Sequence, residues 1–116
     1  MIKRDFLSLL DFSSDELKYV IERAKTLRKQ HENGEMYQPL VGKTGALILT
    51  MSSTRTRVAF EAGFAQMGAK VIFLSPGDTQ IGRGERLEDL ARVLSEMVDI
   101  IMIRTASQQD IETLAH

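Results

Sequence analysis

Gly45-Ala46-Leu47-Ile48-Leu49-Thr50 is a short, unbroken apolar run, and a polar cluster from Ser52 to Arg57 follows almost at once. That cluster leads into Val58-Ala59-Phe60-Glu61-Ala62-Gly63-Phe64-Ala65-Gln66-Met67-Gly68. An apolar run without alternation suits a strand covered on both faces, as in a parallel sheet. In the segment after it, Phe60, Phe64 and Met67 recur at helical spacing and share a face, and Gly68 supplies a stop. The reading is strand, polar turn, helix, which is the first half of a βαβ unit.

The pattern repeats outward from this point. Val71-Ile72-Phe73-Leu74 predicts a second buried strand, Pro76 to Gly84 a glycine-bearing loop, and Leu87, Leu90, Ala91 and Leu94 a helix. Val98 to Ile103 predicts a third strand ending in Arg104, and Ser107-Gln108-Gln109-Asp110 caps a last helix carrying Ile111 and Leu114. Toward the N-terminus, Glu35 to Lys43 contains Pro39 and Gly42 and reads as a loop. Before it, Ser13 is an N-cap with Glu16 as its capping-box partner. Leu17, Val20, Ile21, Ala24 and Leu27 then form one apolar stripe, and Asn33-Gly34 ends the helix. Short strands alternating with helices imply right-handed βαβ crossovers, hence an α/β fold: a parallel sheet flanked by helices. The last helix ends with the chain and no strand returns, so residues 1–116 are expected to be a single, incomplete domain.

Composition narrows the chemistry. The 116 residues carry 15 Lys/Arg against 16 Asp/Glu, a formal net charge of −1, so any anion site must be local. There is no cysteine, which removes disulfides, thiol nucleophiles and cysteine-held metals. His31 and His116 are too few for a histidine metal centre; the first reads as a helix-end cation, and the second is the last residue. Asp5 and Asp11 interrupt what would be the apolar core of a signal peptide, and no apolar run approaches the ~20 residues of a membrane span. These features predict a soluble, cytoplasmic chain. Balanced charge and few aromatics disfavour nucleic acid as a partner.

In an open α/β sheet, ligands bind beyond the carboxyl ends of the strands. Ser52–Arg57, Ser75–Glu85 and Arg104–Ser107 are placed there by this reading. Ser53-Thr54-Arg55-Thr56-Arg57 is the most informative, because it joins a buried strand to a helix N-terminus, where backbone N–H groups and the positive dipole end face outward. Three hydroxyls and two guanidiniums at that point suit a phosphate. The same residues also read as an ordinary cap, with one arginine paired to Glu61 four residues on. Capping alone leaves two arginines opposing the helix dipole, at ~0.3–1 kcal/mol each. Other motifs carry less. Gly42-Lys43-Thr44 has Tyr37 where a P-loop needs glycine, and Gly82-Arg83-Gly84 has Leu87 where a dinucleotide fingerprint needs one. Glu85, Glu88 and Asp89 suit the start of a helix.

Ser53-Thr54-Arg55-Thr56-Arg57 followed by Val58-Ala59-Phe60-Glu61 resembles the carbamoyl phosphate loop of the aspartate/ornithine carbamoyltransferase superfamily. Phe73-Leu74-Ser75-Pro76, Asp78-Thr79-Gln80-Ile81-Gly82-Arg83-Gly84-Glu85 and Met102-Ile103-Arg104-Thr105 resemble its ornithine branch, as do Asp5-Phe6-Leu7-Ser8-Leu9 and Tyr37-Gln38-Pro39-Leu40. The aspartate branch typically has a lysine in the glycine-rich loop and a histidine after the strand-end arginine. Here Gly84 and its neighbours, and Thr105, stand in those places. The resemblance covers essentially the whole chain.

The resemblance implies carbamoyl transfer from carbamoyl phosphate to the δ-amine of L-ornithine, giving citrulline and phosphate, with no metal or cofactor. It assigns Ser53, Thr54, Arg55, Thr56 and Arg104 to carbamoyl phosphate, with Arg55, Thr56 and Arg104 in the catalytic role. It sends Gln80 into the site of a neighbouring subunit of a homotrimer, and Arg57 takes a supporting role through an ion pair. Thr50 and Met51 depart from the acid and lysine common before this loop in the ornithine branch. A His-Pro-x-Gln segment and the amino-acid-binding domain would lie beyond His116, so the 116-residue chain is expected to lack turnover by itself. A non-catalytic anion-binding or oligomerisation module of the same fold, and a carbamoyltransferase for aspartate or another amine, remain as alternatives.

Overall fold

Ala46, Leu47 and Ile48 are completely buried, which requires cover on both faces of the strand that carries them. A computed structural model describes residues 5–49, 53–74, 87–105 and 108–115. It divides into two compact units, 1–37 and 38–116. In the second unit β1 (Thr44–Leu49), β2 (Lys70–Leu74) and β3 (Ile100–Arg104) form a parallel sheet in the order β2-β1-β3. Gly45 pairs with Val71 on one side of β1 and with Ile100 on the other, and Leu49 pairs with Arg104. This is the expected α/β architecture. The connection from β2 to β3 passes over β1, which makes β1 the central strand.

Because side chains alternate along a strand, consecutive residues of β1 serve two cores. Ala46 and Ile48 lie in one with Leu74, Ile101 and Ile103, beneath Leu90 and Leu94 of α3 (Leu87–Met97) and Leu114 of α4 (Gln108–Ala115). Leu47 lies in the other with Val71, Phe73 and Met102, against Phe64 of α2 (Thr54–Gln66). α2 therefore covers one face of the sheet, while α3 and α4 cover the opposite face. Gly45 permits the close approach of α2: an added Cβ there would meet Phe64 Cζ at 2.8 Å. Gly68 has φ +93 in the turn after α2, where Ala69 N–H returns to the Phe64 carbonyl at 2.9 Å. The expected helix stop is in place.

Three expectations are corrected. The stretch Val71–Leu74 is not buried throughout, since Ile72 is 44% exposed. Phe60 shares a helix face with Phe64, their rings 6.5 Å apart, but it is not buried with it: it is 41% exposed. The third strand starts at Ile100 rather than Val98, because Val98 N–H still closes onto the Leu94 carbonyl of α3. Asp99 fills the gap: its N–H donates to the Thr44 carbonyl and its carboxylate accepts from Thr44 N–H at 2.9 Å. The loop expected at Pro76–Gly84 and the Ser107 cap lie outside the described residues.

In the first unit, a 3-10 turn at Leu9–Asp11 precedes α1 (Ser14–Glu32). Ser13 and Glu16 form the expected capping box, each side chain meeting the other's backbone N–H, at 3.1 and 2.9 Å. Asn33 is the C-cap and Gly34 follows at φ +78, which a left-handed helix end requires. The predicted apolar stripe is less sheltered than its spacing implies. Leu17 and Leu27 are half-buried, whereas Val20, Ile21 and Ala24 are exposed.

Candidate functional site

The carboxyl ends of β1 and β3 are neighbours, and each delivers polar residues to the same place. In a sheet of order 2-1-3 the strand order reverses between β1 and β3, and ligands bind in the crevice at that reversal. Ser53 is the N-cap of α2, with its side chain accepting from Thr56 N–H at 3.4 Å. The two hydroxyls of Ser53 and Thr56 are 2.9 Å apart and share a hydrogen bond. Arg104, the last residue of β3, donates from Nη1 to Thr56 Oγ1 at 3.1 Å across 48 residues of sequence. Three of the residues singled out from sequence, Ser53, Thr56 and Arg104, are thus joined in one network.

The network fixes what it can offer. Arg104 is only a donor, so it takes a lone pair of Thr56. One of the two hydroxyl protons is spent on the bond between Ser53 and Thr56. The other has no acceptor among the described residues. Thr54 and Arg55 occupy the first turn of α2, and both are exposed. Their N–H groups belong to the set that an α-helix leaves without internal partners. The Arg55 side chain makes no ion pair or hydrogen bond with a described residue. A helix N-terminus, two hydroxyls and the Arg104 guanidinium meet here, with Arg55 exposed in the same helix turn, and donors of this kind suit a compact oxyanion. Each charge-assisted hydrogen bond in such a set contributes about 1.5–3 kcal/mol.

Arg57 is held differently. Its Nε is 2.8 Å from Glu61 Oε2, and its guanidinium lies over the Phe73 ring, 3.6 Å from the centroid. The i,i+4 pairing with Glu61 thus engages Arg57. Arg55 has no such partner among the described residues. A half-exposed pair of this kind is worth ~0.2–1 kcal/mol, and the ring contact about 0.5–1 kcal/mol, enough to offset a cation in the first turn of a helix. The sequence marks Phe73 as a strand residue but not as a partner of Arg57, since nothing local links it to a position sixteen residues earlier. Gln80, Thr50, Met51 and Ser52 lie outside the described residues. Among the described residues, no cluster of three or more His, Asp or Glu could hold a metal ion. No helix among them is long and apolar enough to cross a membrane.

Fold and site together define an open parallel α/β sheet with a hydroxyl–guanidinium network at its strand-order reversal. The model of the aspartate/ornithine carbamoyltransferase carbamoyl-P binding domain matches residues 4–116, and the chain belongs to this family. Among curated relatives, an ornithine carbamoyltransferase of Psychrobacter arcticus is 57% identical over 115 residues, 99% of this chain and 38% of the relative. One from Oceanobacillus iheyensis is 54% identical over 112 residues, 97% of this chain and 35% of the relative. Among solved structures, ornithine carbamoyltransferase from Burkholderia thailandensis superposes with a TM-score of 0.90 at 50% identity, covering 97% of this chain and 39% of that one. The enzyme from Pyrococcus furiosus gives 0.91 at 42% identity, covering 97% and 36%. The chain therefore spans little more than a third of the length of the relatives it matches.

Proposed function

We propose that this chain supplies the carbamoyl phosphate half of an ornithine carbamoyltransferase site, with residues 1–116 belonging to one carbamoyl-phosphate-binding domain. The observation that carries the reading is the Ser53–Thr56–Arg104 network at the carboxyl ends of β1 and β3, beside an exposed Arg55. The names of the relatives support ornithine as the acceptor. Ser53, Thr54 and Arg55 hold the phosphate, with Arg55 and the first-turn N–H groups of α2 taking its charge. Thr56 and Arg104 face the carbamoyl oxygen. The neutral δ-amine of ornithine attacks the carbamoyl carbon, and the carbonyl electrons move onto oxygen. The tetrahedral oxyanion then collapses, the bond to the phosphate oxygen breaks, and phosphate leaves with the electron pair while the amine nitrogen gives up its proton. Donors already fixed by the network act on the developing oxyanion without reorganising, which is how such sites lower a barrier.

The proposal extends to a homotrimer in the cytoplasm, with Gln80 reaching a neighbouring subunit, Arg57 supporting the loop, and the ornithine-binding part lying outside these 116 residues. The test is a chimera in which this chain replaces the matching third of the Psychrobacter arcticus relative. The expected result is citrulline formation from ornithine and carbamoyl phosphate, abolished by Arg55→Ala. A folded chimera that transfers no carbamoyl group, or that carbamoylates aspartate as readily as ornithine, overturns the proposal.

A further inference from the structure

We propose that Phe73 is a positioning residue, whose ring holds the Arg57 guanidinium and thereby sets the first turn of α2 from β2. The inference rests on the anion-binding reading above. Phe73 is half-buried: it packs in the core shared with Leu47 and Phe64, and the Arg57 guanidinium lies 3.6 Å from its centroid. Glu61, one turn further along α2, also holds the guanidinium, with Oε2 2.8 Å from Nε. A guanidinium engaged by a ring and a carboxylate together gives up both contacts if it turns toward an anion. The two contacts thus favour Arg57 staying on Phe73. The Arg57 backbone lies next to Thr56, the hub of the hydroxyl network, so the stack ties that hub to β2. The two arginines that flank Thr56 acquire two functions: Arg55 meets the ligand, and Arg57 locks the helix turn that presents it.

The test combines a spectroscopic signature with binding in the 116-residue chain. In wild type the Arg57 Nε–H and δ-methylene resonances are shifted upfield by the ring current of Phe73. Phe73→Leu abolishes that shift while filling the core, and Phe73→Tyr, which keeps the ring face, retains it. Carbamoyl phosphate affinity, followed by amide shifts at Ser53–Thr56, falls about two- to five-fold in Phe73→Leu, the worth of an exposed cation–π contact, and recovers in Phe73→Tyr. In an Arg57→Met background Phe73→Leu has no further effect on affinity. A missing upfield shift in wild type overturns the stack. An equal loss of affinity in the Arg57→Met background assigns Phe73 to plain packing and overturns its positioning role. A wild-type chain that shows the ring-current shift yet binds no carbamoyl phosphate instead overturns the functional reading beneath it.

Discussion

Replacing Gly45 by alanine places a methyl group against the Phe64 ring, which packs α2 on the sheet. The new Cβ would sit 2.8 Å from Phe64 Cζ and 3.0 and 3.1 Å from its two Cε atoms. The ring must then retreat by roughly 0.7 Å to reach ordinary carbon–carbon separation. Phe64 is only 7% exposed and packs with Leu47 and Ala69, so it has little room to do so. Overpacking of this kind costs ~1–3 kcal/mol. Against that, alanine is favoured over glycine within a strand by about 0.5–1 kcal/mol. The net expectation for Gly45→Ala is a destabilisation of about 1–2 kcal/mol. The same arithmetic predicts a change of sign once the ring is gone. In a Phe64→Leu background, itself less stable by roughly 1–2 kcal/mol, Gly45→Ala is neutral or stabilising. The assay is urea unfolding followed by far-UV circular dichroism, with the four midpoints compared at constant slope. The coupling energy of the cycle is expected to exceed about 1 kcal/mol. Additive effects, with Gly45→Ala equally harmful in both backgrounds, would refute the claim that a ring-on-glycine contact seats α2 and hence its N-terminal turn.

Three further outcomes follow from the geometry. Arg55→Met lowers carbamoyl phosphate affinity by about 10- to 100-fold, as for one lost charge-assisted contact, yet shifts the unfolding free energy by less than ~0.5 kcal/mol, because the side chain has no described partner to lose. Calorimetric titration and urea unfolding check the two halves. Thr56→Val keeps the shape but removes the Oγ1 that accepts from Arg104 Nη1 and breaks the link to Ser53, so affinity falls about ten-fold or more; unchanged binding would remove Thr56 from the site. Gly68→Ala combines φ +93 with a Cβ 2.7 Å from Val41 Cγ2, whereas Gly34→Ala at φ +78 meets nothing within 4 Å. The second is expected to cost only the left-handed backbone term of ~1–2 kcal/mol, and the first clearly more, as measured by their urea midpoints.

What the sequence disclosed, and what it withheld, divides along sequence distance. The capping box of Ser13 and Glu16, the stops at Gly34 and Gly68, and the two-sided burial of residues 45–49 depend on neighbours within a turn or on one unbroken apolar run. They are legible for that reason. The flanking strands carry apolar runs of the same kind as β1, so nothing local marks Ile72 or Ile100 as exposed. That follows from the order β2-β1-β3, which a crossover decides. The start of the third strand was misplaced for a similar reason, since Asp99 answers to Thr44, 55 residues away. In the site, the pairing of Arg57 with Glu61 could be read from its i,i+4 spacing. The bond from Arg104 to Thr56 could only be expected from the rule that strand ends gather ligand groups. Its partner atoms needed coordinates. The stack of Arg57 on Phe73 has no local signature, because the rest of α2 and the turn into β2 separate the two in sequence.

The most direct test of the account is an isotope-labelled NMR titration of the chain with carbamoyl phosphate, run beside sulfate. The account predicts saturable shifts concentrated at Ser53–Arg57 and Arg104, reached at lower concentration with carbamoyl phosphate than with sulfate. A dispersed spectrum in which those residues do not respond, or respond equally to both anions, would contradict it.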